Sequence, residues 1–183
     1  MTSEARTPGR PGSGAGGPGG GRGGVRLFEH TADVGLDVRG ETPEDLLRWA
    51  AEGLRRVWLP DLRESGEDGH GAEGDARAAA AEPEAAAGTL PVDISGAPDL
   101  ESLLIDWLNF LIFTLETEGV YPVGFDLDAS CAEDGSWTLR GTVRVSRLPA
   151  ARPVVAVKGA TYHGLAVEPA EGGGLQARVI LDI

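Results

Sequence analysis

Apolar residues recur along this chain with two different periods, and each period predicts a type of secondary structure. Between residues 46 and 58 apolar side chains return every three or four positions, which predicts an amphipathic helix. Thr42 and Pro43 stand before this helix as its N-cap and its first helical residue. A broader apolar stripe over residues 100–115 predicts a second, longer helix that ends at Gly119.

Elsewhere apolar and polar residues alternate in short runs, as they do in half-buried strands. About eight such runs are present, at 25–29, 34–39, 89–94, 123–129, 137–145, 154–157, 165–167 and 175–181. Short turns link most of them, so neighbouring strands are expected to pair as hairpins. The sequence therefore predicts a single α+β domain, with two helices packed on one face of a mostly antiparallel or mixed sheet.

Two segments of low complexity interrupt this pattern in a chain of 183 residues. Residues 1–24 are rich in glycine and proline and have almost nothing to bury, so we expect a disordered tail. Residues 61–88 are acidic and rich in alanine, without an apolar stripe that could dock against a core. The expected folded domain therefore spans residues 25–183, with an acidic surface insertion at about 61–88.

Charge and cysteine content narrow the classes of function. The formal net charge is −13, which repels phosphate backbones, so no direct nucleic-acid binding is expected. No apolar run is long enough to span a membrane, and no signal-peptide core is visible. The single cysteine, Cys131, forms no internal disulfide and is expected to be buried in a strand. These features predict a cytoplasmic protein.

The usual catalytic motifs are missing from the sequence, and polar residues concentrate in three places instead. Two are the clusters at 28–33 and 158–164, each predicted to lie between strands. The third is the end of the sequence, where Asp182 stands beside the terminal carboxylate of Ile183. Like charges this close need an offsetting partner. A hard divalent cation is the natural candidate, with Asp33 as a further carboxylate ligand.

The same residues also fit ordinary structural roles. An aspartate in a turn commonly bonds local backbone N–H groups, as Asp33 would, and Asp182 fits a solvated chain end. His30 and His163 fit hydrogen-bonded structural positions, and Lys158 fits a solvent-facing charge on a strand. Spacing alone therefore leaves both a metal site and its absence open.

Four segments in order resemble the archease family. They are Phe-Glu-His-Thr-Ala-Asp-Val-Gly at 28–35, the helix segment at 99–109, Lys-Gly-Ala-Thr-Tyr-His-Gly-Leu at 158–165, and Ala-Arg-Val-Ile-Leu-Asp-Ile at 177–183. The resemblance extends from residue 25 to residue 183 without the acidic insertion. Because four separate blocks match in the same order, the resemblance is specific.

This resemblance implies an accessory protein and not an enzyme. Archeases are cofactors of the RtcB-type RNA ligase in tRNA splicing and RNA repair, where they promote guanylylation and multiple turnover. The family binds a divalent metal, expected here as Ca²⁺, with Mg²⁺ or Mn²⁺ as alternatives. By similarity, its ligands are Asp33, Asp182 and a main-chain oxygen of Ile183, and Lys158 matches a lysine implicated in ligase activation.

Two other classes of function stay open. A chaperone-like binding module that modulates an RNA-modifying enzyme, such as a methyltransferase, would need exposed apolar surface and would depend little on Asp33 or Asp182. A metal-dependent hydrolase would need a general base beside the cation. His30 and His163 are the candidates for that role and, in the accessory protein, the residues expected to support the site.

Overall fold

A computed structural model describes residues 23–30, 33–60, 87–148 and 155–183, apart from the side chains of residues 29 and 30. The strands are β1 (Gly24–His30), β2 (Asp33–Gly40), β3 (Gly88–Ala97), β4 (Val120–Cys131), β5 (Trp137–Arg147), β6 (Gly159–Pro169) and β7 (Leu175–Asp182). The helices are α1 (Pro43–Trp58) and α2 (Leu100–Glu118). The predicted tail and acidic insertion lie outside the described residues, except at their last residues: Gly24 begins β1, and Gly88 begins β3.

Both helices begin and end where the sequence predicts. The Oγ1 of Thr42 accepts a hydrogen bond of 3.2 Å from the backbone N–H of Asp45, and so caps α1. The carboxylate of Asp99 caps α2 in the same way, through a bond of 2.7 Å from the Ser102 N–H. At the far end of α2, Gly119 has a φ of 65°, a conformation that glycine adopts without steric cost. Local residue chemistry therefore fixes both helices.

The strands form two sheets, and every pairing between them is antiparallel. Sheet A has the order β1-β2-β7-β6, and sheet B has the order β3-β5-β4. The α+β prediction is confirmed, with two antiparallel sheets where one sheet was expected.

Two predictions, a strand at 154–157 and a polar cluster between strands at 158–164, are wrong. Residues 155–158 join no ladder in the structure, although 154–157 was expected to be a strand. The backbone N–H of Val155 instead bonds to the carbonyl of Trp58 at 3.3 Å. The polar cluster at 158–164 was expected between strands, yet most of it lies within β6. Periodicity misses this because a strand at a sheet edge, with a bulge, does not alternate regularly.

Trp107 lies at the centre of the core and joins the two helices. Its side chain is fully buried, and its indole N–H donates a hydrogen bond of 3.0 Å to the carbonyl of Leu47 in α1. α1 also contacts β2 and β4, and α2 contacts β4 and β6, so each helix touches both sheets. Cys131 was expected in this interior, but it is exposed at the end of β4.

Among the described residues, the two helices pack against one face of sheet A. Leu36 and Val38 of β2 are buried against the helices, whereas Asp37 and Arg39 alternate with them and point to the other face. This second face, called the outer face below, carries charged residues together with Phe28 and the buried Ile180. Neither helix in the described part of the chain has the length and apolar character that crossing a lipid bilayer requires.

Candidate functional site

Two aspartates face each other across neighbouring strands of sheet A. Asp33 at the start of β2 is the register partner of Asp182 at the end of β7, and Asp182 is in turn opposite Gly159 of β6. Directly opposed residues project to the same face of a sheet, with Cβ atoms about 4.5–5.5 Å apart. The two carboxylates therefore share one corner of the outer face, and their like charges destabilise the pairing unless a cation offsets them.

Lys158 brings a positive charge to this corner. Its backbone N–H donates to the carbonyl of Asp182 at 2.8 Å, which fixes the residue just before β6 begins. Its ammonium group donates a hydrogen bond of 2.9 Å to the main-chain oxygen of Ile183 and lies 3.8 Å from Asp182 Oδ1. One ammonium thus offsets negative charge at Asp182 and at the main-chain oxygen of Ile183.

The donor atoms at this corner suit a hard divalent cation. Two carboxylates and a main-chain oxygen are the ligand types that Ca²⁺ and Mg²⁺ prefer. Among the residues that the structure describes, no three His, Cys, Asp or Glu side chains cluster in a way that could hold a metal ion. A cation here would therefore rely on Asp33, Asp182 and the main-chain oxygen of Ile183, the last of which already interacts with Lys158.

The two histidines of the sequence motifs have different positions. His30 is opposite Asp33 in the β1-β2 register, and its side chain lies outside the described residues. His163 is exposed in a bulge of β6, where the four residues 162–165 oppose Val179 alone. Val179 is three residues from Asp182 along β7, or roughly 10 Å. The strand register brings Asp33 and Asp182 together, hydrogen bonds add Lys158 and Ile183, and His163 lies farther along the sheet.

Asn109 of α2 supports β6, the strand that begins directly after Lys158. Its Oδ1 accepts a hydrogen bond of 2.9 Å from the Ala160 N–H, and its Nδ2 donates to the Ala160 carbonyl at 3.4 Å. β6 is an edge strand of sheet A, so these bonds satisfy backbone groups that the sheet leaves unpaired. In the sequence Asn109 only interrupts an apolar stripe, and this pairing could not be inferred from it.

Replacing Asn109 with leucine is expected to lower the free energy of unfolding by about 1–3 kcal/mol, because both Ala160 groups lose their partner. Asn109→Asp is the matched control, since a carboxylate still accepts from the Ala160 N–H and gives up only the longer bond. Urea unfolding measures both variants, and hydrogen exchange at the Ala160 amide reports the local effect. Equal stability of Asn109→Leu and the native protein would contradict this role.

Comparison with known proteins places this chain in a single family. The model of the Archease protein family (MTH1598/TM1083) matches residues 26–183. The chain is 33% identical to protein archease of Methanopyrus kandleri over 158 residues, which are 85% of this chain and 96% of that protein. It is 29% identical to protein archease of Methanosarcina mazei, covering 85% of this chain and 93% of that protein.

A solved structure has the same fold. The solution structure of Methanobacterium thermoautotrophicum protein 1598 matches with a TM-score of 0.64 and 26% identity. The match covers 87% of this chain and 99% of that one. Almost the whole fold of that protein is therefore matched by this chain.

Proposed function

The chain belongs to the archease protein family, and on this premise we propose that it is an accessory protein that activates an RtcB-type RNA ligase. In this role it promotes guanylylation and multiple turnover of the ligase, in the cytoplasm, during tRNA splicing or RNA repair. The ligase carries out the chemistry, and this chain is not itself an enzyme. A divalent cation, Ca²⁺ in the first place and Mg²⁺ or Mn²⁺ as alternatives, is part of the activating surface.

One observation carries this proposal: two carboxylates and a lysine come together at one corner from three distant parts of the sequence. Asp33 and Asp182 are opposed across two strands, and the Lys158 ammonium lies 3.8 Å from Asp182 Oδ1. Two aspartates that face each other gain nothing for the stability of the sheet. A functional role therefore explains the two opposed aspartates better than a structural role does.

Asp33, Asp182 and the main-chain oxygen of Ile183 are the groups that would hold the cation. The bound cation would supply positive charge that these residues can present to phosphate or carboxylate groups of a partner. Asp33 and Asp182 are fixed by the backbone ladder of sheet A, so their direction does not depend on a flexible loop. Such rigidity favours a site that must fit a partner's cleft.

Lys158 has the freedom to exchange its partners when the ligase binds. Its side chain is 67% exposed, and its contacts with Ile183 and Asp182 lie at the surface. A flexible ammonium group on a fixed backbone position can leave the corner and contact a nucleotide phosphate or an acidic residue of the ligase. Lys158 therefore acts as a positioning group, and the carboxylates carry the cation.

The overall charge favours docking to a basic partner. The net charge of −13 and the opposed carboxylates complement a cleft that handles nucleotide and RNA phosphates, since such clefts are rich in basic groups. Complementary charge mainly raises the association rate and fixes the orientation of the partners. Activation by this protein is therefore expected to weaken as salt concentration rises.

A chaperone-like module is the second candidate, and exposed apolar surface is the feature that would favour it. Among the described residues, the exposed large apolar side chains are Phe113, Tyr162 and Ile183. Phe113 lies on α2 and Tyr162 in the bulge of β6, so they do not form one extended stripe along a single element. This limited apolar surface supports ligase activation over general chaperone binding.

Multiple-turnover RNA joining tests the proposal. The RtcB-type ligase from the same source is assayed with GTP and divalent metal, alone and with this protein. We expect strong stimulation by the native protein, and a several-fold loss of stimulation with Lys158→Met, which keeps the aliphatic side chain and removes the charge.

Lys158→Met should keep its fold, because the backbone N–H of residue 158 still bonds to the Asp182 carbonyl. No stimulation by the native protein at any salt concentration would reject ligase activation and move the chaperone-like module to first place. Full stimulation by Lys158→Met would instead leave the ligase as the partner and remove Lys158 from the mechanism.

A further inference from the structure

Three arginines gather on the outer face of sheet A, away from the acidic corner. Arg26 of β1, Asp37 of β2 and Arg178 of β7 are register partners in one row across three strands. In the next row, Arg39 is the partner of Gln176. Asp37 is four residues from Asp33 along β2, so this arginine cluster lies roughly 13 Å from the corner, on the same face.

Asp37 holds two of the three guanidinium groups in place. Arg178 donates from Nε to Oδ1 of Asp37 at 2.8 Å and from Nη2 to Oδ2 at 3.2 Å. Arg26 donates to the same Oδ2 at 2.9 Å. The hydrogen bond from Arg178, more than any other favourable contact, lowers the pKa of Asp37 and so favours its ionised form.

The Phe28 ring lies on the same outer face and contacts the arginine cluster. The guanidinium carbon of Arg178 is 5.0 Å from the ring centroid of Phe28, as in a cation–π contact. The Phe28 ring itself lies over Gly35, where a Cβ atom would clash with it at 2.0 Å. Arg178 is therefore held by a bidentate ion pair and by a ring, and little side-chain entropy is left to lose when a ligand binds.

The three arginines of the cluster are exposed: the Arg26 and Arg178 side chains are 79% and 57% accessible, and Arg39 is exposed as well. Each guanidinium carries five N–H donors, and among the described residues Asp37 and Gln176 accept four bonds from the three arginines together. The cluster lines an open cavity of about 980 Å³, whose other walls include Gly164 and Ala166 of β6. On that side Gly164 and Ala166 leave room for a ligand beside the guanidinium groups, and Glu168 adds one carboxylate to the lining.

From this geometry we propose that Arg26, Arg39 and Arg178 form a binding site for the phosphate group of a nucleotide-type ligand. Guanidinium forks match phosphate oxygens, and three forks from neighbouring strands suit a tetrahedral anion better than a planar carboxylate. The site binds one phosphate through short-range hydrogen bonds. The net charge of −13 still opposes an extended phosphate backbone.

The position of this site, roughly 13 Å from the acidic corner, indicates how a bound ligand could be used. A phosphate held by the arginines would place the rest of its ligand on the outer face, where the Phe28 ring over Gly35 lies between the cluster and the corner of Asp33 and Asp182. Two sources carry the same phosphate chemistry, a free nucleoside triphosphate and the terminal phosphate of an RNA strand. Ligand binding at this site does not require the ligase, so the site can be tested on the isolated protein.

Isothermal titration of the full chain at low salt tests the site with inorganic phosphate, GTP, and a short RNA with or without a 3′-phosphate. We expect saturable binding that Arg178→Gln and Arg39→Gln each weaken by about tenfold, as for loss of a charged hydrogen bond. Arg39→Gln leaves the Asp37 ion pairs intact, and it decides the outcome if Arg178→Gln does not fold.

Two controls separate this site from general charge effects. Arg140 of β5 is an exposed arginine that lies 3.5 Å from Asp93, and Arg140→Gln should leave binding unchanged. A chain in which Arg6, Arg10 and Arg22 are all replaced with glutamine should also keep it.

Each ligand in the titration distinguishes one source of the phosphate group. Tighter binding of GTP than of inorganic phosphate identifies a nucleotide ligand, and preference for the 3′-phosphorylated RNA identifies an RNA end. No saturable binding of any of the ligands would overturn the proposal. An equal loss of binding in Arg140→Gln would also overturn it, because binding would then follow net charge and not this cluster.

Discussion

Asp182→Asn is expected to abolish stimulation of the ligase while the domain stays folded. The substitution removes one of the two opposed carboxylates, and Ca²⁺ affinity should fall by at least about a hundredfold, since even residues behind a metal ligand cost 10–100-fold. The fold should tolerate it, because a like-charge pair is relieved and the backbone ladder is unchanged. The free energy of unfolding is therefore expected to change by less than about 1 kcal/mol.

Three measurements on the same preparation decide this prediction: calcium titration, urea unfolding and multiple-turnover RNA joining. Asp33→Asn should behave like Asp182→Asn. Asp93→Asn is the matched control, since Asp93 is an exposed strand aspartate that pairs with Arg140 on sheet B, and it should bind calcium and stimulate normally. Full stimulation by folded Asp182→Asn would remove the corner from the mechanism. Unfolding of both corner variants would make the cation structural.

Trp107→Ala is expected to destabilise the domain by about 3–5 kcal/mol, the largest effect on stability that we predict. The indole is fully buried between the helices, with the Phe110 and Phe125 rings at centroid distances of 6.0 and 6.1 Å. Its removal leaves a cavity too large for the neighbouring side chains to fill. The Leu47 carbonyl also loses the hydrogen bond that it accepts from the indole N–H.

Urea denaturation followed by circular dichroism measures this loss. Trp107→Phe keeps an aromatic ring and gives up the hydrogen bond, so its destabilisation should be clearly smaller. Phe113→Ala is the control on the same helix: Phe113 is 63% exposed, and its removal should change stability by no more than about 0.5 kcal/mol. Equal effects of Trp107→Ala and Phe113→Ala would show that the core is not centred on the indole.

The helices could be predicted from the sequence because their determinants are local. Thr42 and Asp99 cap helices from positions directly before the first turn, and Gly119 ends α2 directly after the last. Hydrophobic periods of about 3.6 and 2 identified most elements and the α+β class, since each period reflects which face of an element is buried. The residues of the corner were identified through the family resemblance, while their spacing alone left a metal site open.

The separation of the strands into two sheets was decided only by the tertiary structure. Strand pairing depends on register and on partners far apart in the chain, and a period of two says nothing about either. For the same reason the polar run at 158–164 was expected between strands. Its place in β6 depends on β7 and on Asn109, which pairs with Ala160 from the opposite side of the strand.

For both candidate sites on the outer face, the sequence determined one part and the tertiary structure the other. The sequence determined which residues are charged, and alternation determined that Asp37 and Arg39 share a face of β2 with Asp33. Only the β2-β7 register placed Asp182 opposite Asp33 and Arg178 opposite Asp37. A shift of one residue would have sent either strand's charges to the core. The burial of Leu36 and Val179 on the inner face forbids that shift, and so it fixes both sites.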